Sequence, residues 1–321
     1  VEQPGMHDLM QELRAVADEY PDRVLVGEND RIEYYGDGTN ELHLTFNFPL
    51  MWTERLAPQW VRDNQAERLS ALPPGAWPCN TLGNHDASRV YSHFSDGQHD
   101  AELARLSLAL MLSLRGTPFL YYGEEIGMTD LLLTDLSQFR DNLGLWFYRM
   151  ESEILGTPPR EAVLQAARRG RDKCRTPMQW SNAPNAGLSP LGVETWLPVN
   201  PNFAQGVNVA QQMDDTDSLL NFYRRMLRVR KQTPALIAGD YAPLHEQASD
   251  YLAFLRTIDG GQTCLVVLNL SEQAHTLRFD LDADLARLVF SSRARRGQDH
   301  LAHLEIAPFE VYIAELHTRT R

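Results

Sequence analysis

Two carboxylates in this 321-residue sequence stand where they could do chemistry. The stretch Cys79-Asn80-Thr81-Leu82-Gly83-Asn84-His85-Asp86 sets an amide, an imidazole and a carboxylate side by side after a short run that can be buried. A strand ending at Thr81 or Leu82, followed by Gly83, leaves those three side chains at a strand tip, where hydrogen-bonding groups can converge on one small molecule. A second tip lies upstream, where the apolar run Val24-Leu25-Val26 stops at Gly27 and Glu28 follows at once. Taken singly, each acid has a plainer reading: Asp after a strand caps a helix, and Glu after Gly sits in a solvated loop. The pairing of two strand tips, each ending in a carboxylate, is what makes Glu28 and Asp86 candidates for catalysis.

The elements that must position them are those of an α/β protein. From Met6 to Tyr20, apolar residues recur at helical spacing until Pro21. The run Val24 to Val26 is unbroken and apolar, so it reads as a strand buried on both faces. A polar, Gly-rich loop over residues 29–40 leads to a second strand candidate, Leu42 to Phe48, then to a helix over Trp52 to Leu72 that Pro73, Pro74 and Gly75 end. The third strand runs into Asn84-His85-Asp86. The strongest helix, Ala101 to Leu114, is apolar around most of its circumference and is expected to pack on more than one side. A fourth strand, Pro118 to Tyr122, runs into Gly123-Glu124-Glu125. Strands alternating with helices at this spacing are βα units of a parallel sheet. An open doubly wound sheet is the alternative, but no GxGxxG supports a dinucleotide role.

Beyond Thr129 come helical stretches near Phe139 to Ile154 and Arg160 to Arg169. A Pro-, Asn- and Trp-rich segment follows, in which Trp180, Trp196 and Phe203 are expected to anchor an ordered loop. A final amphipathic helix spans about Ser218 to Gln232, with Leu219, Leu220, Phe222, Tyr223, Met226 and Leu227 on its buried side. After Gly239 the texture changes to five closely spaced strand candidates: Tyr251 to Thr257, Thr263 to Leu270, His275 to Leu281, Arg287 to Ser291 and Leu304 to Leu316. They read as a small antiparallel β domain.

Composition bounds the function. A formal net charge of -13 sets any nucleic acid or anionic lipid surface in repulsion, so neither is expected as a partner; a neutral or cationic ligand fits better. Cys79, Cys174 and Cys264 are far apart, without CxxC spacing or a companion His cluster. Neither a disulfide framework nor a metal site is expected, no cofactor is called for, and a reducing, cytoplasmic setting is the simplest inference. No run approaches the roughly 18 apolar residues of a membrane span.

Four words in order carry a resemblance: Val24-Leu25-Val26-Gly27-Glu28, Gly83-Asn84-His85-Asp86, Tyr121-Tyr122-Gly123-Glu124-Glu125-Ile126-Gly127-Met128, and Gly170-Arg171-Asp172 with Arg175-Thr176-Pro177-Met178-Gln179-Trp180. Together they resemble the α-amylase superfamily, glycoside hydrolase family 13, and within it the α-glucosidase and oligo-1,6-glucosidase branch. The resemblance covers nearly the whole chain. It implies the C-terminal half of a (β/α)8 barrel, strands 5 to 8, over residues 1–238, followed by a C-terminal antiparallel β-sandwich domain over 239–321. It implies Glu28 as general acid/base after strand 5 and Asp86 as the transition-state stabilising carboxylate after strand 7. It also implies His85 as a hydrogen-bond partner of a sugar hydroxyl, and Arg171, with Arg175 as the alternative, as the grip on the non-reducing end. The Glu124-Glu125 pair is read as structural.

Such residue types suit the reaction. Cleaving a glycosidic bond passes through an oxocarbenium-like state, so a protonated carboxyl must feed the leaving oxygen while a second carboxylate attacks the anomeric carbon. Asp86 would accept hydrogen bonds that strengthen as positive charge develops, and its own charge would help keep Glu28 protonated. In the family the nucleophile follows strand 4, and Gln3-Pro4-Gly5-Met6-His7-Asp8 resembles what comes after that strand. The chain is therefore expected to be a fragment that starts just past the nucleophile, needs the N-terminal half of the barrel, and is inactive alone. The expected function is retaining hydrolysis of α-glucosidic bonds in short oligosaccharides and disaccharides. The alternatives are a glucosyl transferase or sugar isomerase of the same fold, and a non-catalytic binding subunit.

Overall fold

The computed structural model describes residues 4–317; Gln3, the first residue of the last quoted word, lies outside the described residues. In chain order the elements are α1 (Met6–Asp18), β1 (Val26–Gly27), β2 (Leu44–Thr45), α2 (Phe48–Trp52), α3 (Pro58–Ala71), β3 (Cys79–Thr81), α4 (Val90–His93), α5 (Asp100–Ser113), β4 (Thr117–Phe119), α6 (Asn142–Arg149), α7 (Pro159–Arg169), α8 (Val209–Asp214), α9 (Leu219–Gln232) and α10 (Pro234–Ala238). Eight strands follow: β5 (Asp240–Leu244), β6 (Tyr251–Thr257), β7 (Thr263–Asn269), β8 (His275–Leu277), β9 (Leu285–Ser291), β10 (Gln298–His300), β11 (Leu304–Ile306) and β12 (Val311–His317).

The chain packs as two units. One holds residues up to Leu82, Leu106–Phe119 and everything from Met226 on; the other is Gly83–Arg105 with Leu120–Arg225. In the first unit, β1 pairs with β2 and β3 with β4, both in parallel. Amide side chains bridge the two pairs: Asn47, after β2, donates to Asn64 at 2.8 Å and to Asn80 of β3 at 3.0 Å, and Asn80 donates to the Arg115 carbonyl at 3.0 Å. All three amides are buried, so each lost partner would leave a polar group without water to replace it.

The C-terminal strands of the same unit form a six-stranded antiparallel sheet in the order β10-β9-β12-β7-β6-β5, with β11 and β8 as a separate antiparallel pair. Alternating residues Ala253, Leu265, Val267, Tyr312 and Ala314 turn one face of the sheet into a core that Leu277, Leu304 and Ile306 also enter. Arg256 of β6 is completely buried; its guanidinium donates to the Gly239 carbonyl at 2.7 and 3.2 Å and to the carbonyl of Ser113 at the end of α5. Burial pushes its pKa down to about 9. The carbonyl at the end of a helix lacks an intrahelical donor, and here a cation supplies it.

Several sequence expectations change. Val24 and Val26 are 61% and 40% exposed rather than buried on both faces, because β1 pairs on one side only. The helix expected over Trp52 to Leu72 is two, α2 and α3, since Pro58 forces Ala57 into an extended conformation (ψ 132). The strand expected over Leu42 to Phe48 keeps only Leu44–Thr45, and Phe48 already begins α2. The fourth strand stops at Phe119, and the helix near Phe139 to Ile154 is a short α6 running into a π-helical turn. On α9, Leu227 is exposed. The last strand candidate, Leu304 to Leu316, is split into β11 and β12, and β5 and β10 were not anticipated. The helix over Ala101 to Leu114 behaves as expected: Leu106, Leu108, Leu110, Met111 and Leu112 are all buried. Among the described residues no helix is long and apolar enough to cross a membrane.

Replacing Arg256 by Ala strips donors from two buried carbonyls and leaves a cavity, which should cost about 3 kcal/mol. Urea unfolding of the Arg256→Ala protein should show the loss as a lower midpoint with an unchanged slope; an unchanged midpoint would contradict the role given to this side chain.

Candidate active site

Glu28 follows the last residue of β1 and is exposed. Space beside its predecessor is filled: a Cβ on Gly27 would lie 2.5 Å from the Asn29 amide and 2.6 Å from Leu42, so a larger residue there would have to displace those side-chain ends.

The other unit carries the rest of the candidate residues. The loop after β3 places Asp86 with its backbone N–H bonded to the Asn84 side chain at 2.8 Å, a local turn that aims the carboxylate outward. His85 Nε2 stands 3.3 Å from an Asp86 oxygen. Two guanidiniums close on that carboxylate. Arg171 Nη1 reaches both oxygens at 3.3 Å, and Arg175 donates to Oδ1 through Nη2 while its Nε donates to the His85 carbonyl at 2.7 Å. Both arginines proposed as alternatives thus meet the same acid. Two cations therefore flank Asp86 within its own unit.

What fixes Arg171 was not apparent in the sequence. Asp141, at the N-cap of α6, grips it with a two-pronged pair, Nε to Oδ2 at 2.9 Å and Nη2 to Oδ1 at 2.8 Å, and also accepts from the Leu143 N–H at 3.3 Å. The Asp141 side chain is only 4% exposed. Its hydrogen bonds with Arg171, opposed by burial, hold the carboxyl down at about 2, and the same pair raises the Arg171 pKa above the usual arginine range. Asp172 reciprocates: its buried Oδ2 accepts from the backbone N–H groups of Arg140 and Asp141 at 2.9 and 3.1 Å. Two consecutive residues on each segment are thus cross-tied. An Asp before an apolar run signals a helix cap, which was readable; a partner 30 residues on was not.

The loop wall is ordered, though not by the tryptophans expected to anchor it. Trp180 and Trp196 are about half exposed, and Trp196 serves instead as a donor, Nε1 to the Arg175 carbonyl at 2.9 Å. Tyr122 donates to the Thr176 carbonyl at 2.7 Å, and the buried Cys174 thiol donates to the His85 and Arg171 carbonyls at 3.3 and 3.1 Å. Burial raises that thiol to about 11, so it stays a neutral donor. Together these bonds join the Asp86 loop to the arginine segment. The arrangement is a half-exposed carboxylate between oriented cations, suited to grip the adjacent hydroxyls of a neutral polyol through both donors and acceptors.

Residues 1–239 match the Alpha-amylase family, described as the alpha amylase catalytic domain. The chain belongs to the α-amylase family. Its relatives include the oligo-1,6-glucosidase of Parageobacillus thermoglucosidasius, 28% identical over 336 residues that cover 98% of this chain and 58% of that protein. The glucan 1,6-alpha-glucosidase of Streptococcus dysgalactiae subsp. equisimilis is 33% identical over 301 residues, covering 87% of this chain and 55% of that one. Among solved structures, the trehalulose synthase of Pseudomonas mesoacidophila MX-45 superposes with a TM-score of 0.85 at 28% identity, covering 98% of this chain and 59% of the other. The isomaltulose synthase of Erwinia rhapontici NX5 bound to sucrose gives a TM-score of 0.84 at 27% identity, covering 98% and 59%. This α-amylase family chain therefore spans between half and three-fifths of the length of these relatives. Its fold is the C-terminal half of a (β/α)8 barrel, whose strands are β1 to β4, followed by an antiparallel β domain.

The depressed Asp141 carboxyl supplies stability that is fully present above the ordinary carboxylate range and is lost as pH falls toward about 2. Asp141→Asn should lower unfolding free energy by about 2 kcal/mol near neutral pH. Denaturation curves should show the gap between wild type and variant closing as pH drops below about 4; a gap independent of pH would contradict the ionised pair.

Proposed function

We propose that these residues belong to a retaining α-glucosidase that hydrolyses α-glucosidic bonds at the non-reducing end of short oligosaccharides and disaccharides. The observation that carries the reading is the Asp86 carboxylate clasped by Arg171 and Arg175 with His85 beside it, in a chain of the α-amylase family. In this reading Glu28 is the general acid/base, Asp86 stabilises the oxocarbenium-like state by accepting hydrogen bonds from ring hydroxyls, and His85 and Arg171 bind the glucosyl ring. The names of the relatives, oligo-1,6-glucosidase and glucan 1,6-alpha-glucosidase, support an α-glucoside as substrate. No role is given to a cofactor or a metal. The reading assigns no nucleophile within the 321 residues; it expects an aspartate upstream of Val1, supplied with the N-terminal half of the barrel. The three cysteines are free and buried, which supports a reducing compartment such as the cytoplasm.

A second reading within the same fold is sugar isomerisation or glucosyl transfer, in which a sugar hydroxyl rather than water captures the glucosyl intermediate. It is favoured by solved neighbours that are trehalulose and isomaltulose synthases, two of them bound to sucrose.

Product analysis with the full-length gene product on maltose, isomaltose and sucrose separates the two. Hydrolysis predicts free glucose in step with substrate loss; isomerisation predicts a rearranged disaccharide from sucrose. Glu28→Gln should lower kcat on disaccharides by about 10²–10⁴-fold. Turnover of no α-glucoside, or an undiminished rate in the Glu28→Gln enzyme, would overturn the glucosidase reading.

A further inference from the structure

Glu124, in the turn after β4, is almost entirely buried, and its Oε1 has no hydrogen-bond partner among the described residues. That oxygen fills the space beside Gly83, the first residue of the Asp86 loop, where a side chain would begin: a Cβ built on Gly83 would sit 2.6 Å from it. The far end of the same loop is also tied to this turn. Arg89 is buried, donates Nη1 to the Tyr122 carbonyl at 2.8 Å and lies 4.8 Å over the Tyr122 ring, while its Nε and Nη2 are buried without partners. Thus Gly83 and Arg89, which bracket Asn84, His85 and Asp86, both lean on the Glu124 turn.

The surroundings favour the neutral acid. Burial pushes the Glu124 carboxyl up to about 8, and neighbouring Glu125 adds to the rise; a hydrogen bond from the Tyr121 backbone and the Arg89 charge act against it. Glu125 is itself engaged, accepting from the Gly123 N–H at 2.7 Å. From α9 comes the fully buried phenol of Tyr223, whose own ionisation is suppressed first by burial and then by the two glutamates. A buried carboxylate with an unfilled lone pair is costly. On losing its proton, Glu124 must turn toward Arg89 or toward water, and Gly83 lies against the oxygen that moves.

We propose that Glu124 is a positioning residue: as a neutral acid it props Gly83 and so holds Asp86 in its clasped geometry, and loss of its proton lets the loop shift. This rests on the reading of Asp86 as the glucosyl-binding carboxylate, but the prop itself does not require turnover.

The test is nuclear magnetic resonance of the full chain with ¹³C-labelled glutamate carboxyls and ¹⁵N-labelled backbone. The Glu124 carboxyl should titrate near pH 8, and the Gly83, Asn84 and Asp86 amides should move with the same midpoint. In Glu124→Gln those amide titrations should vanish. A carboxyl midpoint below about pH 6, near the ordinary glutamate range, would overturn the proposal. So would loop amides that stay still through the Glu124 titration, or that still titrate in Glu124→Gln. Should that variant fail to fold, Gly83→Ala serves: a methyl group against Oε1 should displace the Glu124 midpoint, and an unmoved midpoint would contradict the contact. If the glucosidase reading alone is wrong, these titrations persist while the full-length gene product turns over no α-glucoside; if both hold, its kcat/KM on an aryl α-glucoside falls as pH rises through about 8, and Glu124→Gln abolishes that fall.

Discussion

An exposed carboxylate can serve a binding site only if something fixes its direction, and here the two-pronged bond between Asp141 and Arg171 does so. A guanidinium held along one edge by a buried acid has its remaining N–H groups pointed in a fixed direction. Asp86 takes what is left of Arg171, and Arg175 completes the clasp from the other side. The backbone ties of Asp172 to residues 140 and 141 lock the two segments that bear this pair, so the orientation does not depend on long, mobile side chains alone. An exposed ion pair by itself contributes little to stability; its value in this protein is geometric.

The rest of the structure repeats a related solution with a different acceptor. Arg256, Arg68 and Arg62 bring their charges into the protein against backbone carbonyls rather than carboxylates. Carbonyls at helix ends and in strand-to-helix turns are acceptors that the backbone cannot satisfy itself, and an arginine reaches several at once. Short strands become tolerable on these terms. The strands β1 to β4 contribute only two or three residues each to the parallel pairs, and buried amides and arginines carry the connections that a longer ladder would otherwise make.

How much of this the sequence reveals depends on the range of the interaction. Strand tips at Gly27 and Gly83, the apolar helix at residues 101–114 and the strand Tyr251–Thr257 were legible because local period and turn residues decide them. The candidate acids Glu28 and Asp86 stood out for the same reason. Asp141 did not, since its meaning lies in a partner 30 residues away that no periodicity marks. Glu124 was read as structural from its crowded acidic neighbourhood, and its burial and its place beside Gly83 are visible only in the structure. The Val24 to Val26 run misled in the opposite direction: its apolar letters suit a strand covered on both faces, but cover depends on what packs there, which the run itself does not encode. Trp180 and Trp196 erred likewise, since size was taken for burial while their indoles stay half exposed.

A crystal structure of the protein soaked with glucose tests the central claim most directly, because the sugar must report where the clasped carboxylate acts. The account predicts adjacent ring hydroxyls within about 3 Å of the Asp86 oxygens and of the Arg171 guanidinium, with the Asp141–Arg171 pair intact. Glucose bound elsewhere while the Asp86 clasp stays closed and untouched would contradict it.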